Sequence, residues 1–426
     1  MMPIDRSITP AISLPPSLQL PQTETIILNN GLRVVLLQAG EQEVVKADFA
    51  FEAGKWFEEK NLLAEITGRM LREGTMQHTA NQIAEQFEFY GCNLESGVSY
   101  THSNFQLYSL SKHLEQALPL LMELFTQASF PQHELDTLLA NRKQKLQQRL
   151  AKNEFVANRA FVQALWGPQH PYGRITQQTD FDALQTADMK AFYQNFYQPH
   201  RAFVVLSGKF NAAQVDYFYK IFGDTGWTGH SPKTDFHFEP QPATEKIIHT
   251  EKKDAVQTAI QIGYRTINKY HNDYDNLSVL NTLFGGYFSS RLMANIREDK
   301  GYTYGIYSAL SSFQHGGQFE ITAEVGKEVA ASTMKEIEKE IKRLHTELVP
   351  DEELMTVKNY MAGKILRSID GPMKYSEVLK SLLQYHREPE YLNHYLQTIE
   401  QITSENLMQL AQTYLNWEQM YKVSVG

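Results

Sequence analysis

The feature that most constrains this chain is that it says nearly the same thing twice, half its length apart. Thr186–Gly208 reads as a cap at Thr186, an amphipathic helix ending in Tyr197, the strand Phe203–Leu206 and then Gly208. Thr403–Gly426 reads likewise: a cap at Thr403, a helix through Tyr414, the strand Tyr421–Val425 and Gly426. An earlier strand–helix–strand unit, Val44–Tyr108, is answered by Ala255–Ala323. A unit used twice needs a core in each copy, and strands alternating with helices and antiparallel hairpins point to the α+β class. The expected architecture is two homologous domains, each a mainly antiparallel β-sheet with helices packed on one face. Domain boundaries are expected at 25–226 and 246–426, joined by 227–245, a stretch rich in Gly, Pro, Thr and charge.

At 426 residues the chain is long enough for two such cores. A net charge of −9 argues against a nucleic-acid partner and favours partners or peptides that are not strongly acidic. With one cysteine, Cys92, an intramolecular disulfide and a multi-cysteine metal cage are both ruled out. Residues 1–24 carry Pro10, Pro15, Pro16 and Pro21 and are expected to form an extended arm, mobile or laid across another surface. No basic start is followed by an apolar run, and no stretch approaches the length of a membrane span, so the cytoplasm is the default compartment, with the periplasm left open.

Two segments carry chemistry. Thr25–Leu28 and Leu32–Leu37 form a hairpin around Asn29, Asn30 and Gly31, and Val44–Phe51 adds a strand. The helix that follows, Asn61–Arg72, presents Leu62, Leu63, Ile66, Met70 and Leu71 on one broad apolar face. In the second half, a helix from near Asp273 meets Gly285 and Gly286, a pair suited to a helix stop or tight turn. A second short helix then ends in charge before Gly301 and a strand bearing Tyr302, Tyr304 and Tyr307. Arg297 and Tyr304 stand seven residues apart across that break, one expected at a helix end and the other on the next strand. A guanidinium and a phenol together make a pair of donors for a carbonyl or oxyanion. The plainer alternative is an Arg paired with a neighbouring carboxylate and a Tyr filling a half-buried strand.

The string SSRLMANIREDKGYTYGIYS resembles the C-terminal-half signature of the insulinase-type (M16) zinc peptidases, the inverted-zincin family that includes mitochondrial processing peptidase. The resemblance implies that Arg297 and Tyr304 bind substrate peptide near the scissile bond. It also implies that Asn61–Arg72 is the zinc helix, where His-x-x-Glu-His would place two imidazoles on one face with a Glu to polarise the bound water. Here those positions read Glu65, Gly68 and Arg69, so both histidines and the catalytic Glu are absent. Arg69 puts a fixed positive charge where a dication would sit, and an i,i+4 ion pair between Glu65 and Arg69 is expected to fill the vacated place. The family's third ligand falls near Lys145–Gln147. No acidic residue stands between Asp136 and Glu154, while Arg142, Lys143, Lys145, Arg149 and Lys152 read as a solvated basic face or a partner contact. None of the fourteen histidines has another three or four residues away.

What the resemblance implies is a subunit without its own zinc. It would bind unstructured peptide, and it would supply Arg297 and Tyr304 to a homologous His-x-x-Glu-His chain that carries the metal; in isolation it would cut nothing. Two other classes stay open: a structural relative in which Arg297 and Tyr304 are inherited packing, and a self-associating protein that captures peptides without cleaving them.

Overall fold

The computed structural model describes residues 15–223, 226–229 and 236–426; residues 1–14 of the expected arm, with Pro10, and 230–235 of the expected join lie outside the described residues. In the first half the strands are β1 (Glu24–Ile27), β2 (Arg33–Gln38), β3 (Val44–Phe51), β4 (Asn93–Val98), β5 (Ser103–Leu110) and β6 (Ala202–Gly208). Its helices are α1 (Leu63–Met70), α2 (Ala80–Phe89), α3 (Leu114–Thr126), α4 (Gln132–Leu150), α5 (Asn153–Trp166), α6 (Gln178–Asp182), α7 (Thr186–Phe196) and α8 (Ala212–Gly223). The second half has β7 (Ile247–Thr250), β8 (Gln257–Thr266), β9 (Thr303–Phe313), β10 (Gly316–Gly326) and β11 (Tyr421–Val425). Around them lie α9 (Tyr274–Asn281), α10 (Ala330–Thr346), α11 (Asp351–Ser368), α12 (Pro372–Gln384), α13 (Tyr391–Gln401) and α14 (Ser404–Tyr414).

The two sheets share one topology. The first runs β1-β2-β6-β3-β5-β4 and the second β7-β11-β8-β10-β9, so each strand from β2 onward has a counterpart in the same place. One pair in each sheet is parallel, β2 with β6 and β7 with β11; the other pairings are antiparallel. The fold is α+β, with β4 and β9 as the free edges on corresponding sides.

Local chemistry explains the elements. Asn30 tethers the first hairpin turn by donating to the carbonyls of Phe222 (2.6 Å) and Trp227 (3.2 Å), and Gly31 holds φ of 90°, where a Cβ would also strike His200. Thr403 caps α14 through a capping box with Asn406, whereas α7 starts one residue earlier than expected, capped by Gln185 with Asp188. Strand β3 alternates: Val45, Ala47, Phe49 and Phe51 enter the first-half core, where Phe49 meets Phe125, Phe218 and Phe222 at 5.0, 6.1 and 4.9 Å between ring centroids.

The opposite face of each sheet is covered by a helix of the other half. Helix α5 lays Ala157, Phe161 and Trp166 on Ala259, Val423 and Val425 of the second sheet, and the Trp166 indole donates to Gln318 at 3.1 Å. Reciprocally, Tyr375 and Leu379 of α12 share a cluster with Val35, Leu37 and Val205 of the first sheet. Beneath α12, the fully buried Lys46 and Asp48 pair at 3.1 Å; Lys380 contacts Asp48 at 2.9 Å, and Glu377 joins both lysines. The described part of the arm also crosses over, with Leu18 buried in the second-half core and its N–H donating to Asn393 at 2.7 Å. No helix of the described residues is long and apolar enough to cross a membrane.

The four charges of the Lys46 cluster cancel, so deleting one leaves a buried charge in excess. Lys46→Met is expected to cost about 3 kcal/mol, and Lys46→Met with Asp48→Leu to recover most of it. Urea unfolding of both variants checks this; an equal loss in the double variant would show that the pair does not act as a unit.

Candidate functional site

Helix α1 is built into the first-half core. Leu62 precedes it at φ of 72°, and the Ala64 N–H donates to the Glu58 carboxylate at 3.0 Å. Gly68 lies buried between β4 and α7, where a Cβ would come 3.1 Å from Val98 and 3.2 Å from the Tyr197 hydroxyl. The position that carries the catalytic Glu in the resembled motif is thus closed by packing, since any longer side chain must displace Val98 or Tyr197.

The expected Glu65–Arg69 ion pair does not form. Glu65 is held instead by Arg142 of α4 at 3.1 Å and by Lys55 at 3.8 Å, while Arg69 is exposed. An exposed i,i+4 pair contributes only about 0.3–0.5 kcal/mol, which is little to set against tertiary contacts that reach a half-buried carboxylate. The basic run is not simply a solvated face either. Lys143 pairs with exposed Asp182 at 3.0 Å, but Arg142, Lys145 and Arg149 line a cavity of about 310 Å3 together with Glu65. Around the expected third-ligand segment, Lys145 lines that cavity and Leu146 is buried. Among the described residues no group of three or more His, Cys, Asp or Glu side chains is placed to hold a metal ion. One carboxylate ringed by fixed cations does not fit a zinc ion.

Glu58, beside this cavity, is buried, and burial pushes its carboxyl up to about 7 from 4.5 despite the Ala64 hydrogen bond and the nearby Lys55 and Arg174. Arg174 does not offset the burial: its guanidinium stands 3.7 Å from the carboxylate and donates to the Glu58 backbone carbonyl at 3.3 Å.

The second-half segment has a different character. After α9 the chain widens into a π-helical turn at Thr282–Gly286, and a second one spans Met293–Asp299. Arg297 sits near the end of the latter, with its guanidinium 4.6 Å from the Phe288 ring centre and 3.6 Å from Glu298. Tyr304 is the second residue of β9. The β9–β10 register slips there: Ile306 opposes Ala323 and Thr303 opposes Val325, so Tyr304 and Gly305 together face the single residue Glu324. Such a bulge bends the strand and re-aims its side chains, and Tyr304 is 94% exposed. It lines a cavity of about 830 Å3 between the halves, bounded by the α4–α5 turn and strands β8, β9 and β10. Arg297 is not among that cavity's lining residues; it stands on the preceding turn, whose carbonyls at Arg297 and Ile296 accept from Gly301 and Tyr302.

The family described as Insulinase (Peptidase family M16) matches residues 33–175, and the one described as Peptidase M16 inactive domain matches residues 183–361. This chain belongs to the M16 peptidase family. It is 24% identical to the uncharacterized zinc protease YmxG of Bacillus subtilis over 349 residues, covering 80% of this chain and 83% of that protein. It is 23% identical to the non-peptidase homolog YmxG of Helicobacter pylori over 326 residues, covering 74% and 73% of the two chains. A solved M16 inactive domain from Pseudomonas fluorescens superposes with a TM-score of 0.86 at 24% identity, covering 95% of this chain and 98% of that one. Its second half is the part that matches the M16 inactive domain, and in its first half the positions of the resembled His-x-x-Glu-His motif hold Glu65, Gly68 and Arg69.

Reading the sequence missed the convergence on Glu65 and the ring of Phe288 beneath Arg297. The signal for the first was present: Arg142, Lys145 and Arg149 stand at i, i+3 and i+7, on one face of α4.

Between about pH 4.5 and 7 the folded chain keeps on Glu58 a proton that the unfolded chain releases, so its stability falls as pH rises through that window. Glu58→Gln removes the ionisation. The melting temperature of the variant relative to the parent is expected to rise from pH 5 to pH 8, and a constant difference would show that Glu58 ionises normally.

Proposed function

We propose that this M16 chain is the substrate-binding, non-catalytic subunit of a two-chain zinc peptidase acting on unstructured peptides. It would contribute Arg297 and Tyr304 to a zinc site on a homologous His-x-x-Glu-His partner. The observation that carries this reading is Tyr304: a phenol turned out of its strand by a bulge, 94% exposed, at the rim of a cavity between the halves. Among the described residues no hydrogen bond uses its hydroxyl, which is open to solvent. Arg297 keeps only a long contact with Glu298 and a ring beneath it, so its donors are also available.

The chemistry follows from donor type. A guanidinium orients a peptide carbonyl and stabilises charge as it develops on the oxygen, and a phenol adds a second hydrogen bond. Strand β9 is a sheet edge, and an extended peptide can add to such an edge by backbone hydrogen bonds, which selects unfolded over folded substrates. Zinc, when bound on the partner, supplies the activated water. This chain's own part is to bind and orient the substrate.

Alone, the chain is expected to retain no zinc and to cleave no peptide; co-expressed with a His-x-x-Glu-His homologue, it is expected to yield an active pair. Arg297→Ala and Tyr304→Phe should each lower kcat/KM of the pair, with about a hundredfold loss for removal of an oxyanion donor. Unchanged activity in either variant would remove that residue from the assigned role, and unchanged activity in both would leave the chain as a structural relative.

A further inference from the structure

The chain as a whole is acidic, at −9, yet the cavity at the vacated metal position is strongly cationic. Its wall carries Lys55, Arg142, Lys145, Arg149, Arg159 and Arg174 against a single lining carboxylate, Glu65. Glu65 is shared by Arg142 and Lys55, and the carboxyl facing Arg174, that of Glu58, has its charge suppressed by burial. Among the described residues Lys145, Arg149 and Arg159 have no carboxylate within ion-pair distance. Arg159 donates to the Thr176 carbonyl at 2.7 Å, and Arg149 lies over the Phe155 ring at 4.0 Å, with Arg159 on the same ring at 5.5 Å. Asp180 offsets part of the charge on Arg159, and Arg149 acts against it; an anion entering the cavity relieves the remaining repulsion among these cations.

We propose that this cavity is an anion subsite that takes carboxylate side chains of an acidic peptide segment bound between the two halves. The proposal rests on the peptide-binding reading above and names its substrate class. Two observations point to a carboxylate on a peptide. The cluster already holds one, since Glu65 sits in it with a guanidinium at 3.1 Å and an ammonium at 3.8 Å. The cavity also adjoins the one lined by Tyr304: Arg149, Phe155 and Asn158 line both, and the carboxylates Glu154, Glu320 and Glu324 line only the latter, so that the cationic side is the smaller cavity. A chain lying against Tyr304 therefore has Arg149 in its own cavity, and Arg149 is the residue through which it borders the cationic one. The smaller space, about 310 Å3, suits one or two side chains and not a folded partner. A position that binds a dication in active relatives would here have become a binder of negative charge.

The test uses the isolated full-length chain and a labelled twelve-residue unstructured peptide rich in glutamate, with binding followed by fluorescence anisotropy. The comparison peptide has each Glu replaced by Gln. Lys145→Gln with Arg149→Gln is the informative variant, because both side chains are exposed and the fold does not depend on them; a circular dichroism melt checks that. The glutamate peptide is expected to bind at low salt and to weaken about tenfold in the variant, while the glutamine peptide is indifferent to it. Equal affinities for the two peptides, or no loss in the variant, would overturn the proposal. So would inorganic phosphate displacing the peptide at a lower concentration than free glutamate does, since the site would then be one for phosphoryl groups. Because the readout is binding and not cleavage, the two readings fail separately. An inactive reconstituted pair with intact acidic-peptide binding refutes the peptidase role alone, and an active pair indifferent to acidic residues refutes this subsite alone.

Discussion

The reciprocal exchange of helices between the halves is the constraint on which the rest depends. Helix α5 belongs to the first half in sequence but covers the second sheet, and α12 does the reverse. Neither sheet can bury both faces with the helices of its own half, so neither half closes its core alone. The buried Lys46–Asp48–Glu377–Lys380 cluster lies under one of the exchanged helices, and Trp166 with Gln318 under the other. Desolvated charges and an indole N–H tolerate little misplacement, because each loses a partner if the halves shift. The exchange therefore sets where one half sits on the other as well as holding them together. It also fixes the site: the α4–α5 turn must cross the seam to deliver α5, and in crossing it forms the common wall of both cavities.

The helix on which the resembled motif falls is settled by its surroundings as well as by its own residues. Here Gly68 lets α1 close onto Val98 and Tyr197, and the remaining carboxylate, Glu65, is neutralised from α4 and the Lys55 turn. From α4, Arg142, Lys145 and Arg149 all line the same cavity as Glu65. The arrangement is consistent within itself: every fixed charge that faces Glu65 is positive, and a returning zinc ion would meet repulsion as well as a missing ligand set.

Much of this was legible in the sequence wherever the cause is local. The Asn29–Asn30–Gly31 turn and the Thr403 cap follow from neighbours a few residues apart, and they appear where expected. The empty motif was legible too, because a missing histidine is a fact of composition. The exchange was not legible. The apolar stripes of α5 and α12 look the same whichever sheet they cover, and Lys46 and Ser376 are 330 residues apart. For the same reason Glu65 was assigned to Arg69, its neighbour on the helix, when Arg142 reaches it through the tertiary fold. Local spacing offers a partner, but burial decides among the candidates.

The Arg297–Tyr304 segment shows how the backbone prepares a surface residue. Gly285 and Gly286 read as a helix stop, and the chain does leave the helix just after them, but the stronger reason for Gly285 is contact. A Cβ there would stand 2.5 Å from the Ser308 hydroxyl, so glycine lets the widened π turn seat directly on β9. With β9 pinned by that contact at Ser308 and by the buried Ile306, the strand cannot relax the extra residue at Tyr304 and Gly305 by sliding along β10. The bulge stays at that position, Thr303 anchors its near side by donating to the Glu324 carbonyl at 2.6 Å, and the phenol has nowhere to go but outward. A large aromatic side chain held 94% exposed forfeits the burial its ring would otherwise gain. When the surrounding backbone enforces that arrangement from both sides, the exposure is a property of the fold and not of a loosely held side chain.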